Sequence, residues 1–470
     1  MKQLIKLLIR IFNDYLENIC IIEDNIKYTY HEILSKASSL SLVLNKQYPE
    51  PIRIALIAKN SGAWVISFIG ILLSRHKLVL FPATLSIESI KHIIVNSRST
   101  LLITDIDPKE LVDLETICLI LVIDNVRLIK VRDGNIVEED TQESIIVYSP
   151  RKLEKHHLTL DSIVEKLRLV DKYGTFNNTT IFIAYPAFCY DYIIALLLPL
   201  VHGVTIIIPN QEEDSWGTCN TIQQNEPEVV ILNARQFEGV YEEYIKRTND
   251  PLIEILEGLR LNWIKKWVMV KRVKKLFPKL KQLIILNSQL NTQIEHTLKE
   301  LKVPYIVTYG RVKGHGIETF SDLKDFQEGT IGEFLKEHND ILEDDKIYLN
   351  YGNKFFYHRD NQVVTKFGYQ ISDRLEKTIK DLPIIDDCIL VILDGLLTLI
   401  VVPNFKYTDY YRFDMADIIE ILDEKINELN HNSSEFEKIE DRIVLNTDFL
   451  YDTYGRVMKN YYTQKENVHL

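Results

Sequence analysis

Glycine is scarce in this chain, with 17 in 470 residues, about half the roughly 7% usual in globular proteins. The scarcity is sharpest over 144–161, SIIVYSPRKLEKHHLTLD, where an apolar strand runs into a loop with no glycine at all. Consecutive backbone N–H groups close on a phosphate where small residues let the chain turn inward. Pro150 has no N–H to offer, and Arg151, Lys152 and Leu153 add bulk, so the ordinary backbone cradle is excluded. The charge of Arg151, Lys152 and Lys155, next to Ser149, still suits an anion.

Cysteine is equally sparse. Cys20, Cys118, Cys189, Cys219 and Cys388 lie far apart with no CxxC pair, which excludes a disulfide framework and a zinc site and predicts a cytoplasmic setting. Positive charge is in deficit: the net charge of -12 argues against a nucleic-acid partner, whose nonspecific affinity comes from Lys and Arg. Long apolar runs are missing too. The longest, 192–209, is broken by Pro199, His202 and Gly203 and reads as a buried helix followed by a strand. The opening MKQLIKLLIRIF has no small-residue cleavage site, so no signal peptide is expected.

Short Val- and Ile-rich runs, RIALIA, KLVLFP, STLLITD, ICLILVID, TIFIAYP, VTIIIPN, EVVILN and KQLIILN, alternate with amphipathic stretches. That alternation predicts an α/β fold: a large N-terminal domain over 1–358, built of layered, mainly parallel sheets and helices. Beyond Arg359 the texture changes to a hairpin, CILVILDG then LTLIVVPN, and a helix over 415–430. A small α+β C-terminal domain over 359–470 is expected.

Several segments, in order, resemble the adenylate-forming superfamily of acyl- and aryl-CoA synthetases, luciferases and nonribosomal adenylation domains. IKYTYHEILSKASSLSLVL is similar to the family's opening segment, and the stretch from RIALIAKN to LLITD to its first large-domain unit. AYPAFCYDYIIALLLPLVHGVTIIIPN is similar to the next unit, TYGRVKGHGIETF to the block with the YGxTE motif, FGYQIS to the start of a mobile C-terminal domain, and DTYGRVMKN to the terminal Lys loop. The resemblance implies ATP and Mg²⁺ as co-reactants, with a carboxylate attacking the α-phosphate and a thiol such as CoA then taking the acyl group.

Much of the family's equipment is altered. YSPRKLEK replaces the Ser/Thr/Gly phosphate loop, leaving Ser149 and Lys152 as candidate nucleotide contacts. The family's His falls at Cys189 and its Gly-Gly-Ala-Pro wall at Leu286, Asn287, Ser288 and Gln289. Tyr309 and Gly310 survive as nucleotide-binding candidates, but Val312 takes the Thr position and Lys313 the metal-binding Glu position. An ammonium there repels Mg²⁺ and donates where an acceptor is needed, so no metal ligand is assigned. Gap-free counting from Gly368 places the ribose-binding Asp at Asp344 and the family Arg at Arg359, with Asn361 on the hinge Asp. Arg456 stands in for the catalytic Lys and keeps its charge but not its point geometry.

Adenylyl transfer depends on positioning and preorganised charge, so these losses compound. The expectation is a family member with adenylation lost or strongly reduced, a noncatalytic partner of an acyl carrier or synthetase in acyl metabolism. Two alternatives stay open: an active divergent fatty- or aryl-acid ligase, and a protein that binds an acyl or acyl-CoA ligand. The stretch ahead of the wall segment, FEGVYEEYIKRTNDPLIEILEGLRLNWIKKWVMVKRVKKLFPKLKQLIILNS, resembles the insertion of long-chain acyl-CoA synthetases. Within it, 258–281 holds nine Lys or Arg and no acid, with Trp267, Val273, Leu276 and Phe277 at near-helical spacing. Such a helix lies on an anionic membrane surface or packs its apolar face inward. His156 and His157 point apart on a strand and share no metal. Ser149 lacks the GxSxG setting of a hydrolase nucleophile.

Overall fold

A computed structural model describes residues 3–24, 26–81, 85, 87–111, 118–123, 126–131, 144–148, 153, 155–172, 180–183, 187–210, 214–248, 270–286, 292–310, 315, 317–320, 333–335, 347–349, 356–358, 363–364, 370–371, 374–393, 396–431, 438–451 and 457–462. Two compact units divide the chain, one over Met1–Glu337 with Thr453–Gly455 and one over His338–Asp452 with Arg456–Leu470.

Among the described residues, the first unit holds a nine-stranded and a seven-stranded sheet. The nine-stranded sheet runs in the order Glu333–Phe334, Thr319–Phe320, Tyr305–Tyr309, Gln282–Leu286, Val229–Asn233, Thr180–Ile183, Thr205–Ile208, Ile19–Glu23, Ile26–Thr29. Its inner strands pair parallel and its edges antiparallel. Continuous Val and Ile runs fit inner strands covered on both faces. The seven-stranded sheet runs Cys118–Ile123, Val126–Lys130, Leu101–Thr104, Arg53–Ile57, Lys77–Leu80, Ser144–Tyr148, Lys155–Thr159. It too is parallel in the middle and antiparallel at both edges.

The helix Gly62–Leu73 is buried over every residue but the last, as expected of a helix apolar all round. A Cβ on Gly70 would meet Leu40 Cδ2 at 2.9 Å and the Ala37 carbonyl at 3.0 Å, so glycine lets the helix Tyr30–Gln47 approach this closely. Tyr30–Gln47 is started by a capping box between Thr29 and Glu32. An aromatic row crosses the core: Trp64 stacks on Phe68 at 5.2 Å, Phe68 meets Tyr192 at 6.4 Å, and Tyr192 stands edge-on to His315 at 6.3 Å. The apolar face of the opening helix Gln3–Asp14, with Leu4, Ile5, Leu8, Ile11 and Phe12, is buried.

In the basic segment Arg272 is 8% exposed, and its guanidinium donates to the Thr248 carbonyl at 2.6 Å. Val273, Leu276 and Phe277 are buried, with Phe277 stacked on Phe237 at 6.2 Å. This apolar face is therefore spent inward over 270–280, and 258–269 lies outside the described residues. No described helix is long and apolar enough to cross a membrane.

In the second unit, Ile385–Leu393 pairs antiparallel with Leu396–Pro403, which pairs parallel with Asp441–Val444. The helix Met415–His431 contributes Ile418, Leu422 and Ile426 to a core with Leu390 and Leu399. A second cluster joins Ile389, Val391 and Ile400 to Phe449 and Tyr462.

Candidate functional site

The glycine-free loop is mounted on a hairpin. Ser144–Tyr148 pairs antiparallel with Lys155–Thr159, from Ser144 opposite Thr159 to Tyr148 opposite Lys155. Ile145, Ile146, Val147 and Tyr148 are buried, and the Tyr148 hydroxyl donates to Asn96 Oδ1 at 2.9 Å, which fixes the incoming arm. Lys155 therefore belongs to the ladder. Of the span 149–154 only Leu153 is described, and its φ of 52° is a left-handed conformation that glycine adopts without cost. Ser149, Pro150, Arg151 and Lys152 lie outside the described residues.

The outgoing arm leads directly into the helix Leu160–Asp171. Thr159 caps it, its hydroxyl accepting from the Ser162 N–H at 3.1 Å. His156 is half-buried and His157 exposed on this arm. No group of three or more His, Cys, Asp or Glu able to hold a metal occurs among the described residues.

Tyr309 and Gly310 are buried at the carboxyl end of the parallel strand Tyr305–Tyr309, the end where open α/β sheets bind ligands. The chain returns as Thr319–Phe320, with Tyr309 opposite Thr319, and the Glu318 N–H donates to the Tyr309 carbonyl at 2.7 Å. Tyr309 and Glu318 are thus held side by side. Thr308 Oγ1 beside them is buried and has no hydrogen-bond partner among the described residues.

His315 lies between those two residues in the chain, and its sequence position gives one signal for it: it stands between Gly314 and Gly316 in a chain poor in glycine. It is 5% exposed and takes a φ of 62°. Its Nδ1 lies 2.7 Å from the Tyr192 hydroxyl and its Nε2 3.0 Å from Ser162 Oγ. Ser162 donates its own proton to the Thr159 carbonyl at 2.7 Å and accepts from Thr159 Oγ1 at 3.0 Å. His315 Nε2 is therefore the donor to Ser162, and Nδ1 the acceptor from Tyr192, which assigns a neutral ring protonated at Nε2. Burial lowers its pKa to about 4, and the nearby Lys166 ammonium acts in the same direction. Lys166 Nζ donates to the Ile317 carbonyl at 2.8 Å. The same arrangement excludes Ser162 as a His-activated nucleophile, because its proton is already committed.

Cys189 is buried, and desolvation, with Asp191 nearby, pushes its thiol well above the usual range. Leu286, buried, ends Gln282–Leu286, while Asn287, Ser288 and Gln289 lie outside the described residues. So do Lys313, Asp344, Arg359, Asn361, Gly368 and Arg456. The residues flanking Arg456 are held firmly. Tyr451 bridges Val457, the Met458 N–H donates to the Leu450 carbonyl at 2.8 Å, and Lys459 Nζ pairs with Glu376 Oε1 at 2.6 Å.

Residues 12–160 match the sequence pattern of the family described as AMP-binding enzyme. A search of curated protein sequences finds no significant match. Among solved structures, O-succinylbenzoate CoA synthetase from Bacillus subtilis, in complex with AMP, superposes with a TM-score of 0.69 at 13% identity, covering 99% of each chain. A benzoate CoA ligase from Burkholderia xenovorans LB400 gives 0.69 at 13%, covering 99% of this chain and 100% of that one. The anthranilate CoA ligase AuaEII, in complex with anthranoyl-AMP, gives 0.73 at 12%, covering 98% and 96%. The O-succinylbenzoate enzyme has also been solved with ATP and a magnesium ion. Residues 12–160 thus carry the AMP-binding enzyme pattern, and the chain as a whole has the fold of the adenylate-forming acyl- and aryl-CoA ligases.

Proposed function

We propose that this protein is an acyl-CoA synthetase-like member of the adenylate-forming fold with adenylation lost or strongly reduced, serving as a noncatalytic partner in acyl metabolism and keeping a residual nucleotide site. One observation carries this reading: a described frame coexists with altered chemistry. The hairpin arms Ser144–Tyr148 and Lys155–Thr159 and the Tyr309–Gly310 strand end are tied together through His315, while Lys313 and Arg456 stand where the resemblance puts a carboxylate and a lysine. The donor set does not fit Mg²⁺, since an ammonium at 313 contributes repulsion in place of a ligand. No step is therefore derived through the metal. The resemblance of the segment ahead of Leu286 to the long-chain insertion supports a fatty acyl group, and Tyr309, Gly310, Asp344, Arg359, Ser149 and Lys152 are the proposed nucleotide contacts.

A second reading, an active divergent ligase, is favoured by the left-handed Leu153. There Leu153 takes a conformation typical of glycine, and Arg151, Lys152, Lys155 and Arg456 supply the charge. Pyrophosphate release from ATP, with fatty and aromatic acids supplied, separates the two. The expected outcome is no release above a heat-killed control, and turnover above that control sinks the first reading. The Lys313→Glu variant is expected to make ATP binding Mg²⁺-dependent where the natural protein's is not, as measured by titration calorimetry.

A further inference from the structure

We propose that His315 is a positioning residue: by bridging Ser162 and Tyr192 it fixes the strand end at Tyr309–Gly310 against the helix launched by the hairpin of Ser144–Tyr148 and Lys155–Thr159, and so sets where a nucleotide's base lies relative to that hairpin. The inference rests on the reading of Tyr309–Gly310 and of the hairpin Ser144–Tyr148/Lys155–Thr159 as the two ends of a nucleotide site. Four elements meet at this histidine. The hairpin arm supplies Thr159, its helix supplies Ser162 and Lys166, the core helical segment supplies Tyr192, and the stretch between Tyr309 and Glu318 supplies His315 and the Ile317 carbonyl.

Each partner has one role. Thr159 takes the Ser162 proton, leaving Ser162 as an acceptor for Nε2, while Tyr192, buried in the aromatic row, fills Nδ1. Lys166 holds the same stretch two residues on by a backbone carbonyl. Among the described residues, the groups facing the ring are Tyr192, Ser162 and the Lys166 ammonium, and none of these is a carboxylate that would stabilise an imidazolium. A proton added at Nδ1 would replace the acceptor of the Tyr192 hydroxyl with a second donor. The bridge is a feature of the neutral ring.

The test compares the full-length natural protein with His315→Ala and His315→Gln, whose amide retains a donor toward Ser162. Hydrogen exchange by mass spectrometry is expected to quicken at least tenfold in His315→Ala over both 305–320 and 155–171, with the second unit unchanged and His315→Gln closer to natural. In the same variants AMP affinity is expected to fall at least fivefold for alanine, with recovery in glutamine, while inorganic pyrophosphate affinity stays within twofold. Exchange that quickens only in 305–320, or equal losses for AMP and pyrophosphate, would overturn the proposal. Should His315→Ala fail to fold, Tyr192→Phe, which removes one hydroxyl, is expected to give the same two-segment exchange pattern, and its absence overturns the proposal. A natural protein that binds neither AMP nor pyrophosphate refutes the nucleotide reading instead, and the exchange pattern then decides the bridge alone.

Discussion

At the scale of single residues, His315 links protonation to stability. Its pKa falls from an ordinary 6.5 in the unfolded chain to about 4 in the folded one. Between those values the unfolded state binds a proton that the native state refuses, so stability is complete above pH 6.5 and falls as the pH drops toward 4. The loss reaches roughly 3 kcal/mol at the low end. The natural protein is therefore expected to lose more stability than His315→Gln between pH 7 and pH 4.5. Urea titrations at the two pH values measure the difference, and parallel losses would refute it. The strand end at Tyr309–Gly310 was legible from the sequence because it carries a motif. His315, Ser162 and Tyr192 were not, because they meet across separations of 123 and 153 residues that no local pattern encodes.

At the scale of elements, the Lys459–Glu376 pair closes the C-terminal stem. The two side chains are 16% and 15% exposed, and Glu376 Oε1 also accepts the Leu390 N–H at 2.6 Å. Removing the ammonium leaves a largely buried carboxylate with one partner fewer, which costs about 3–5 kcal/mol for a buried pair. Lys459→Met is expected to destabilise the second unit by about 3 kcal/mol at neutral pH, as read by urea unfolding with exchange at 374–393. A change under about 0.5 kcal/mol would place the pair with weak surface bridges. The eight Val- and Ile-rich runs fold as strands, as their composition predicts; seven of them lie in the parallel parts of the two sheets, where continuous apolar sequence is needed, and Cys118–Ile123 is an antiparallel edge. Lys155–Thr159 escaped that criterion. KHHLT is an edge strand with a single buried side chain, Leu158, and it is held by pairing with Ser144–Tyr148 more than by its own hydrophobicity. Ile19–Glu23, Val126–Lys130 and Asp441–Val444 went unread for a related reason, being short and lying at or near sheet edges.

At the scale of the molecule, the three functional readings differ in which ligand stabilises the native state. A ligand that binds only the folded form at 100 times its Kd adds about 2.7 kcal/mol. AMP is expected to raise the melting temperature by several degrees with or without Mg²⁺, as measured by differential scanning fluorimetry. A rise with acyl-CoA and none with AMP identifies an acyl-binding protein. Silence toward both leaves a role carried by protein contacts alone. The overall α/β organisation was legible because alternating strand and helix patterns are a global property of the sequence. The site was legible only in part, since several of its candidate residues depend on register counted through loops.

The hairpin beneath the glycine-free loop has both arms locked, one by buried side chains and the other by a helix cap. The six positions 149–154 therefore begin and end at points the sheet already fixes, and Leu153 among them packs against the core cluster that holds Phe81 and Tyr148. An exchange by design for a glycine-rich loop of equal length meets a scaffold set in advance, with Leu153 the position whose replacement reaches the core.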